Sequence, residues 1–209
     1  MINVRALAFG PEERVPNAGN LTQLKHILQE DSTFAAITAC LRQLPNTWQI
    51  ITQQDSKLKS TTGERRAAVL PCLLLDDEEH ENDLYANQVI MPMTVLVHMV
   101  QYRQYLQKIL PSSHKSVMQS VAAGGVQGFC AGLLSAFAVC SMSSEEDFDA
   151  CATYAIKLAM CVGAYVDLVG SLEDLEMTSA VLRWSTTDGR DRANEVVARY
   201  QSVSLVLFF

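Results

Sequence analysis

Cys130 is the residue whose setting most resembles a reaction centre. It stands in Gly128-Phe129-Cys130-Ala131-Gly132, with an apolar, glycine-containing stretch before it and the run AGLLSAFAVC after it. G-x-C-x-G ahead of a helical pattern predicts a nucleophile held on a sharp strand-to-helix turn. The sulfur must be exposed above the sheet, and small residues two before and two after it let strand and helix approach closely. The helix that follows points its positive end at the sulfur, which favours the nucleophilic thiolate. The same geometry places the Ala131 N–H to receive an oxyanion. Glycine makes up about 7% of proteins, so one of six cysteines gains both flanking glycines by chance at roughly 3%. The pentapeptide is therefore suggestive, and the strand-helix context carries the reading further.

The other cysteines, Cys40, Cys72, Cys140, Cys151 and Cys161, lie in apolar surroundings and read as core thiols. None forms CxxC, so neither a zinc ribbon nor a thioredoxin site is expected. Four histidines, His26, His80, His98 and His114, all precede Cys130. His98 reads as a structural or surface histidine. The acidic run Asp76–Asp83 offers ligands around His80, but charge runs are ordinarily solvated, so it reads as an exposed loop with no metal.

The elements that must position Cys130 can be outlined from the pattern. Val4–Phe9 reads as a buried strand ended by Gly10-Pro11. Asn20–Glu30 has helical spacing. A second helix, Phe34–Leu44, is capped by Ser32-Thr33 and closed by Pro45, with a short helix over Thr47–Gln54 beyond it. Ser56–Arg66 is polar, contains Gly63 and reads as a loop. Leu70–Leu75 reads as either a strand or a buried helical turn. Ile90–Ile109 is a helix with Pro92 in its first turn. Its Met91, Met93 and Met99 read as gap-filling core residues. Ala150–Gly170 is apolar apart from Lys157 and Asp167 and reads as a buried core helix.

The chain has 209 residues, 49% hydrophobic and 19% charged, enough apolar material for a folded core. Its formal net charge is −7. That balance argues against nucleic-acid binding and against a polybasic membrane anchor. The N-terminal apolar run is too short for a signal h-region, and no uncharged apolar stretch reaches 18 residues. With scattered thiols, this points to a reducing, cytoplasmic setting.

Several segments in order resemble one family. GFCAGLLSAFAVC is similar to the active-site segment of the starter-unit acyltransferase domain of fungal non-reducing polyketide synthases. Those domains carry G-x-C-x-G where malonyl transacylases carry G-x-S-x-G. Ala8–Gly10 is similar to the family's N-terminal strand and Phe-Gly turn. Pro92–Leu106 resembles the helix before the nucleophile strand, and Asp149–Asp167 resembles the family's long helix with its Gly-x-Tyr-Val-Asp end.

The resemblance implies an α/β fold, a parallel sheet flanked by helices with an acyltransferase (α/β-hydrolase-like) core. It implies transfer of a starter acyl group from coenzyme A or a fatty-acid synthase carrier to Cys130. From there the group passes to the phosphopantetheine thiol of an acyl carrier domain, by ping-pong chemistry. No bound cofactor is implied. The partners would be the carrier domain, a fatty-acid synthase and other polyketide synthase domains. Oxyanion donors would be the Ala131 N–H and one beyond Phe9-Gly10. Pro11 stands where the family often has Asp and has no N–H, which leaves Glu12. Lys157 lies where malonyl transacylases place a carboxylate-binding arginine.

The resemblance extends to about Tyr200, making residues 1–200 an incomplete domain and 201–209 a divergent apolar tail. The family's ferredoxin-like subdomain is largely absent, and so is its histidine C-terminal to that insert. Exposed apolar surface and poor solubility are expected to follow. An alternative function is a catalytically inactive protein that binds a carrier or synthase. A different cysteine hydrolase ranks behind both, because its usual order needs a histidine after the nucleophile.

Overall fold

A computed structural model describes residues 6–10, 18–76, 83–108, 113–121 and 124–172. Seven α-helices and two short strands are described. The order is β1 (Leu7–Phe9), α1 (Ala18–Glu30), α2 (Ala35–Gln54), α3 (Thr61–Pro71), α4 (Asn87–Lys108), α5 (His114–Ser120), β2 (Val126–Gly128), α6 (Gly132–Ser141) and α7 (Phe148–Leu172). The strands are parallel, with Leu7 opposite Val126, Ala8 opposite Gln127 and Phe9 opposite Gly128. The parallel pairing and flanking helices agree with an α/β chain. The described residues are nonetheless mostly helical, and their sheet has two strands.

α4 is the central helix. Its buried residues include Val89, Met93, Val95, Leu96, Met99 and Val100, which surround the helix rather than forming one stripe. Met93 and Met99 are core residues, as expected. α4 begins three residues before the expected start, so Pro92 lies beyond the first turn. Its N-terminus is capped from another helix. Asp167 on α7 accepts from the backbone N–H groups of Asn87 (3.0 Å) and Gln88 (3.1 Å), and from Asn87 Nδ2 (2.9 Å). It also accepts from Arg66 Nη1 at 3.2 Å. The charge that interrupts the apolar run of α7 therefore joins α3, α4 and α7.

α7 is long and apolar enough to cross a membrane by composition. Ala152, Ile156, Ala159 and Met160 are nonetheless buried, and α7 packs mainly on α4. It is a core helix with one open face, on which Tyr154, Leu158, Tyr165 and Val169 are exposed. On α6 and the turn before it, Phe129, Leu133 and Phe137 are also exposed at four-residue intervals.

Several boundaries differ from the sequence expectation. Pro45 does not close a helix but lies inside α2. An interior proline costs about 3 kcal/mol. Burial of Ile37, Leu41, Leu44 and Trp48 on both sides of it offsets that cost, at about 1.5–3 kcal/mol for each large side chain. The Ser56–Arg66 segment is not a loop: after a 3₁₀ turn at Ser56–Leu58 it enters α3, where Ser60 Oγ accepts from Gly63 N–H at 3.0 Å. Gly63 lies against the Trp48 ring, so the residue read as a loop signal is a close-packing position. Asp31, rather than Ser32 or Thr33, caps the turn before α2 by accepting from Thr33 N–H at 2.9 Å. Leu70–Leu75 is helical, ending in a π turn over Cys72–Asp76.

Asp83, expected in a solvated loop, is buried and receives two hydrogen bonds from Arg65, at 2.5 and 3.0 Å. His80 lies outside the described residues, as does the 201–209 tail. No metal-binding cluster occurs among the described residues. Cys40, Cys130, Cys140, Cys151 and Cys161 are free thiols. Cys40 is buried, while Cys140 is exposed and so is not the core thiol expected.

Candidate active site

β2 ends at Gly128 and α6 begins at Gly132, so three residues must reverse the chain direction. Cys130 takes the strain, with φ of 54°. A left-handed backbone costs a non-glycine residue about 1–2 kcal/mol. Local hydrogen bonds hold it: Gly132 N–H donates to the Phe129 carbonyl at 2.9 Å, and Leu133 N–H to the Cys130 carbonyl at 3.0 Å. Cys130 itself is exposed, while Ala131 beneath it is buried.

The flanking glycines are required by proximity rather than by φ. A Cβ on Gly128 would lie 2.5 Å from Leu133 Cα and 2.6 Å from the Gly132 carbonyl carbon. A Cβ on Gly132 would lie 2.7 Å from the Phe9 carbonyl carbon and 2.9 Å from the Gly10 oxygen. The first glycine lets strand and helix meet, and the second lets β1 approach the start of α6. Phe129 N–H also donates to the Phe9 carbonyl at 3.0 Å. The structure therefore brings together Gly10, Gly128, Cys130, Ala131 and Gly132. Glu12 lies outside the described residues.

Lys157 is placed differently. It lies on α7 near Cys40 of α2, where its charge opposes the upward push that burial gives the Cys40 thiol. Among the described residues, no contact joins it to Cys130.

Nor does any described histidine hydrogen-bond to Cys130. His26 is exposed on α1 and pairs with Glu30 at 3.3 Å. His114 is buried, with Nε2 3.0 Å from the Met142 carbonyl and Nδ1 2.7 Å from the Tyr102 hydroxyl. A carbonyl only accepts, so Nε2 carries the proton and Nδ1 accepts from Tyr102. His98 is the structural histidine expected. Its Nδ1 is 3.0 Å from Ser135 Oγ on α6, and its ring centroid is 5.5 Å from that of Phe9. Burial pushes His98 below the usual imidazole range.

An open cleft of about 390 Å³ runs beside β1. Residues 7–10 form one wall, and His98, Gln101, Tyr102 and Tyr105 of α4 form the other. Sequence reasoning missed this feature. The signal was present: His98, Tyr102 and Tyr105 recur at helical spacing within the segment read as one helix. Nothing in the sequence alone showed that this face turns toward the Phe9-Gly10 turn.

A family model described as "Starter unit:ACP transacylase in aflatoxin biosynthesis" matches residues 22–203. The chain is 71% identical over 197 residues to the non-reducing polyketide synthase Preu3 of Preussia isomera, covering 94% of this chain and 8% of that protein. It is 34% identical over 206 residues to methylphloroacetophenone synthase of Cladonia uncialis, covering 93% of this chain and 8% of that protein. With the non-reducing polyketide synthase ascC of Acremonium egyptiacum it shares 28% identity over 198 residues, 93% of this chain and 9% of that protein. The chain thus spans under a tenth of the length of these relatives.

Proposed function

The chain belongs to the starter unit:ACP transacylase family, and from that premise we propose that Cys130 carries a starter acyl group between two thioesters. The observation that carries this reading is the exposed Cys130 at φ 54°, held between a strand and a helix N-terminus. That arrangement supports reading the turn as a nucleophile elbow.

In the first half-reaction, Cys130 Sγ attacks the carbonyl carbon of an acyl thioester on coenzyme A or a carrier. The new C–S bond forms, the carbonyl oxygen bears the negative charge of a tetrahedral intermediate, and the Ala131 N–H donates to it. The original C–S bond then breaks. The departing thiolate takes up the proton that Cys130 gave up, leaving an S-acyl enzyme and a free thiol. In the second half, the phosphopantetheine thiol of an acyl carrier domain attacks the S-acyl carbon and the steps reverse. No metal or redox partner is needed, since each half-reaction exchanges one thioester for another. The second oxyanion donor belongs to the segment after Gly10, where Glu12 is the proposed residue. The reading places the reaction in a cytoplasmic polyketide synthase context.

The test is transfer of a radiolabelled short-chain acyl group from coenzyme A to a purified phosphopantetheinylated acyl carrier protein. The wild-type chain should label the carrier, and Cys130→Ala should not. Carrier binding that survives Cys130→Ala, with no transfer by either protein, would instead support the non-catalytic binding role.

A further inference from the structure

We propose that His98 is a positioning residue for the Cys130 turn. Its hydrogen bond to Ser135 and its ring contact with Phe9 hold the start of α6 against the end of β1, and so aim the Ala131 N–H at the reacting carbonyl oxygen. The proposal rests on the transacylase reading above.

Ser135 lies four residues after Ala131, so the two share one face at the start of α6, and both are buried. His98 reaches that face from α4, with Nδ1 3.0 Å from Ser135 Oγ. Among the described residues, this is the side-chain hydrogen bond that joins α4 to α6. The same imidazole is tilted by 57° against the Phe9 ring, with centroids 5.5 Å apart. Phe9 is also the residue whose carbonyl accepts from Phe129 N–H at 3.0 Å, and whose backbone leaves no room for a Cβ on Gly132. One side chain therefore touches both partners of the contact that fixes the Cys130 turn.

Packing alone does not call for a polar pair here. Val95, Leu96 and Met99 beside His98 on α4, and Ala138 and Val139 beyond Ser135 on α6, belong to the apolar core. Replacing both partners of a buried hydrogen bond by apolar groups of matching shape is close to neutral for stability. What the pair adds is direction. Apolar helix faces can slide past one another, whereas a hydrogen bond fixes both distance and angle. Direction matters for an oxyanion donor, which acts only when its hydrogen is aimed where the charge develops. A displacement of about 1 Å, even from a change far from the chemistry, can cost about 100-fold in rate. His98 exchanges no proton with the reacting groups; it acts through Ser135 and Phe9.

The experiment separates acylation of Cys130 from its alkylation. Loading from butyryl-CoA passes through an oxyanion. Iodoacetamide alkylates the same sulfur with loss of iodide and forms no oxyanion. Both rates are read on the Cys130 peptide by mass spectrometry. The His98→Leu/Ser135→Ala double variant removes both polar groups together, so the pair leaves no stranded partner. His98→Asn keeps a hydrogen-bonding atom close to the Nδ1 position. With melting unchanged, the double variant should load about 10- to 100-fold more slowly at saturating butyryl-CoA. Its alkylation should be unchanged, and His98→Asn should load at close to the wild-type rate. Unchanged loading in the double variant, an equal fall in loading and alkylation, or loading by His98→Asn as slow as by the double variant would overturn the proposal. If the double variant fails to fold, Ser135→Ala alone carries the same comparison. Amide hydrogen exchange gives a readout independent of acyl transfer. Phe129 N–H should exchange faster in the double variant than in the wild-type chain and slow again in His98→Asn; equal exchange in all three would also overturn the proposal. If iodoacetamide alkylates the wild-type chain but butyryl-CoA does not load it, the transacylase reading fails, while the exchange of Phe129 still decides whether His98 holds the turn.

Discussion

The backbone N–H of Phe129 donates to the carbonyl of Phe9 at 3.0 Å. The turn that carries Cys130 and the turn that ends β1 are thus bonded to each other, although 120 residues separate the two phenylalanines in sequence. Gly132 sits in the same contact, against the Phe9 and Gly10 backbone. This proximity gives the first prediction. Gly132→Ala should force β1 away from α6 and destabilise the chain by about 1–3 kcal/mol, the usual cost of overpacking. Urea denaturation measures it. Loading of Cys130 should fall as well, because the approach of β1 to the Cys130 turn is lost.

The φ of Cys130 gives a second prediction. Glycine adopts positive φ without a Cβ penalty, whereas alanine keeps it. Cys130→Gly should therefore be more stable than Cys130→Ala by about 1 kcal/mol, and both should lack acyl transfer. Equal stability of the two variants would mean that the turn carries no strain.

How far the sequence predicts this site depends on what each residue's role requires. The Cys130 turn was legible because its glycines, nucleophile and following helix are contiguous and sterically demanding. The helices α4, α6 and α7 were legible from long apolar patterns. Pro45 and Gly63 misled for one shared reason: each is a local helix breaker overruled by packing around Trp48, which is distant in sequence from one of them. Asp83 misled because its partners, Arg65 and Arg66, lie on a helix that was read as a loop. The cleft was legible only as far as the helical spacing of His98, Tyr102 and Tyr105, since it depends on α4 turning His98 and Tyr102 toward Phe9.

Asp167 gives a third prediction. Its carboxylate accepts four hydrogen bonds, two of them from the backbone at the start of α4. Asp167→Ala removes a cap and strands buried donors, so it should cost about 2–4 kcal/mol in chemical denaturation. Asp167→Asn keeps one acceptor oxygen and should recover part of that loss.

Burial of His98 gives a fourth. Its folded value lies below the ordinary 6.5, with desolvation as the cause. The unfolded chain then binds more protons than the folded chain once the pH falls below about 6.5. Stability from this group is retained above that value and declines as pH falls toward the folded value. Thermal melts between pH 7.5 and 5.5 should show a decline in the wild-type chain and a smaller one in His98→Gln. Parallel declines would remove His98 as the cause.

The central claim is that Cys130 forms the acyl-enzyme, and intact mass spectrometry tests it most directly. The chain is incubated with a short-chain acyl thioester in the absence of any carrier, then mapped by proteolysis. The account expects one acyl group, placed on the peptide containing Cys130, and no acylation of Cys130→Ala. Equal acylation of both proteins, or a label confined to Cys140 or another thiol, would contradict it.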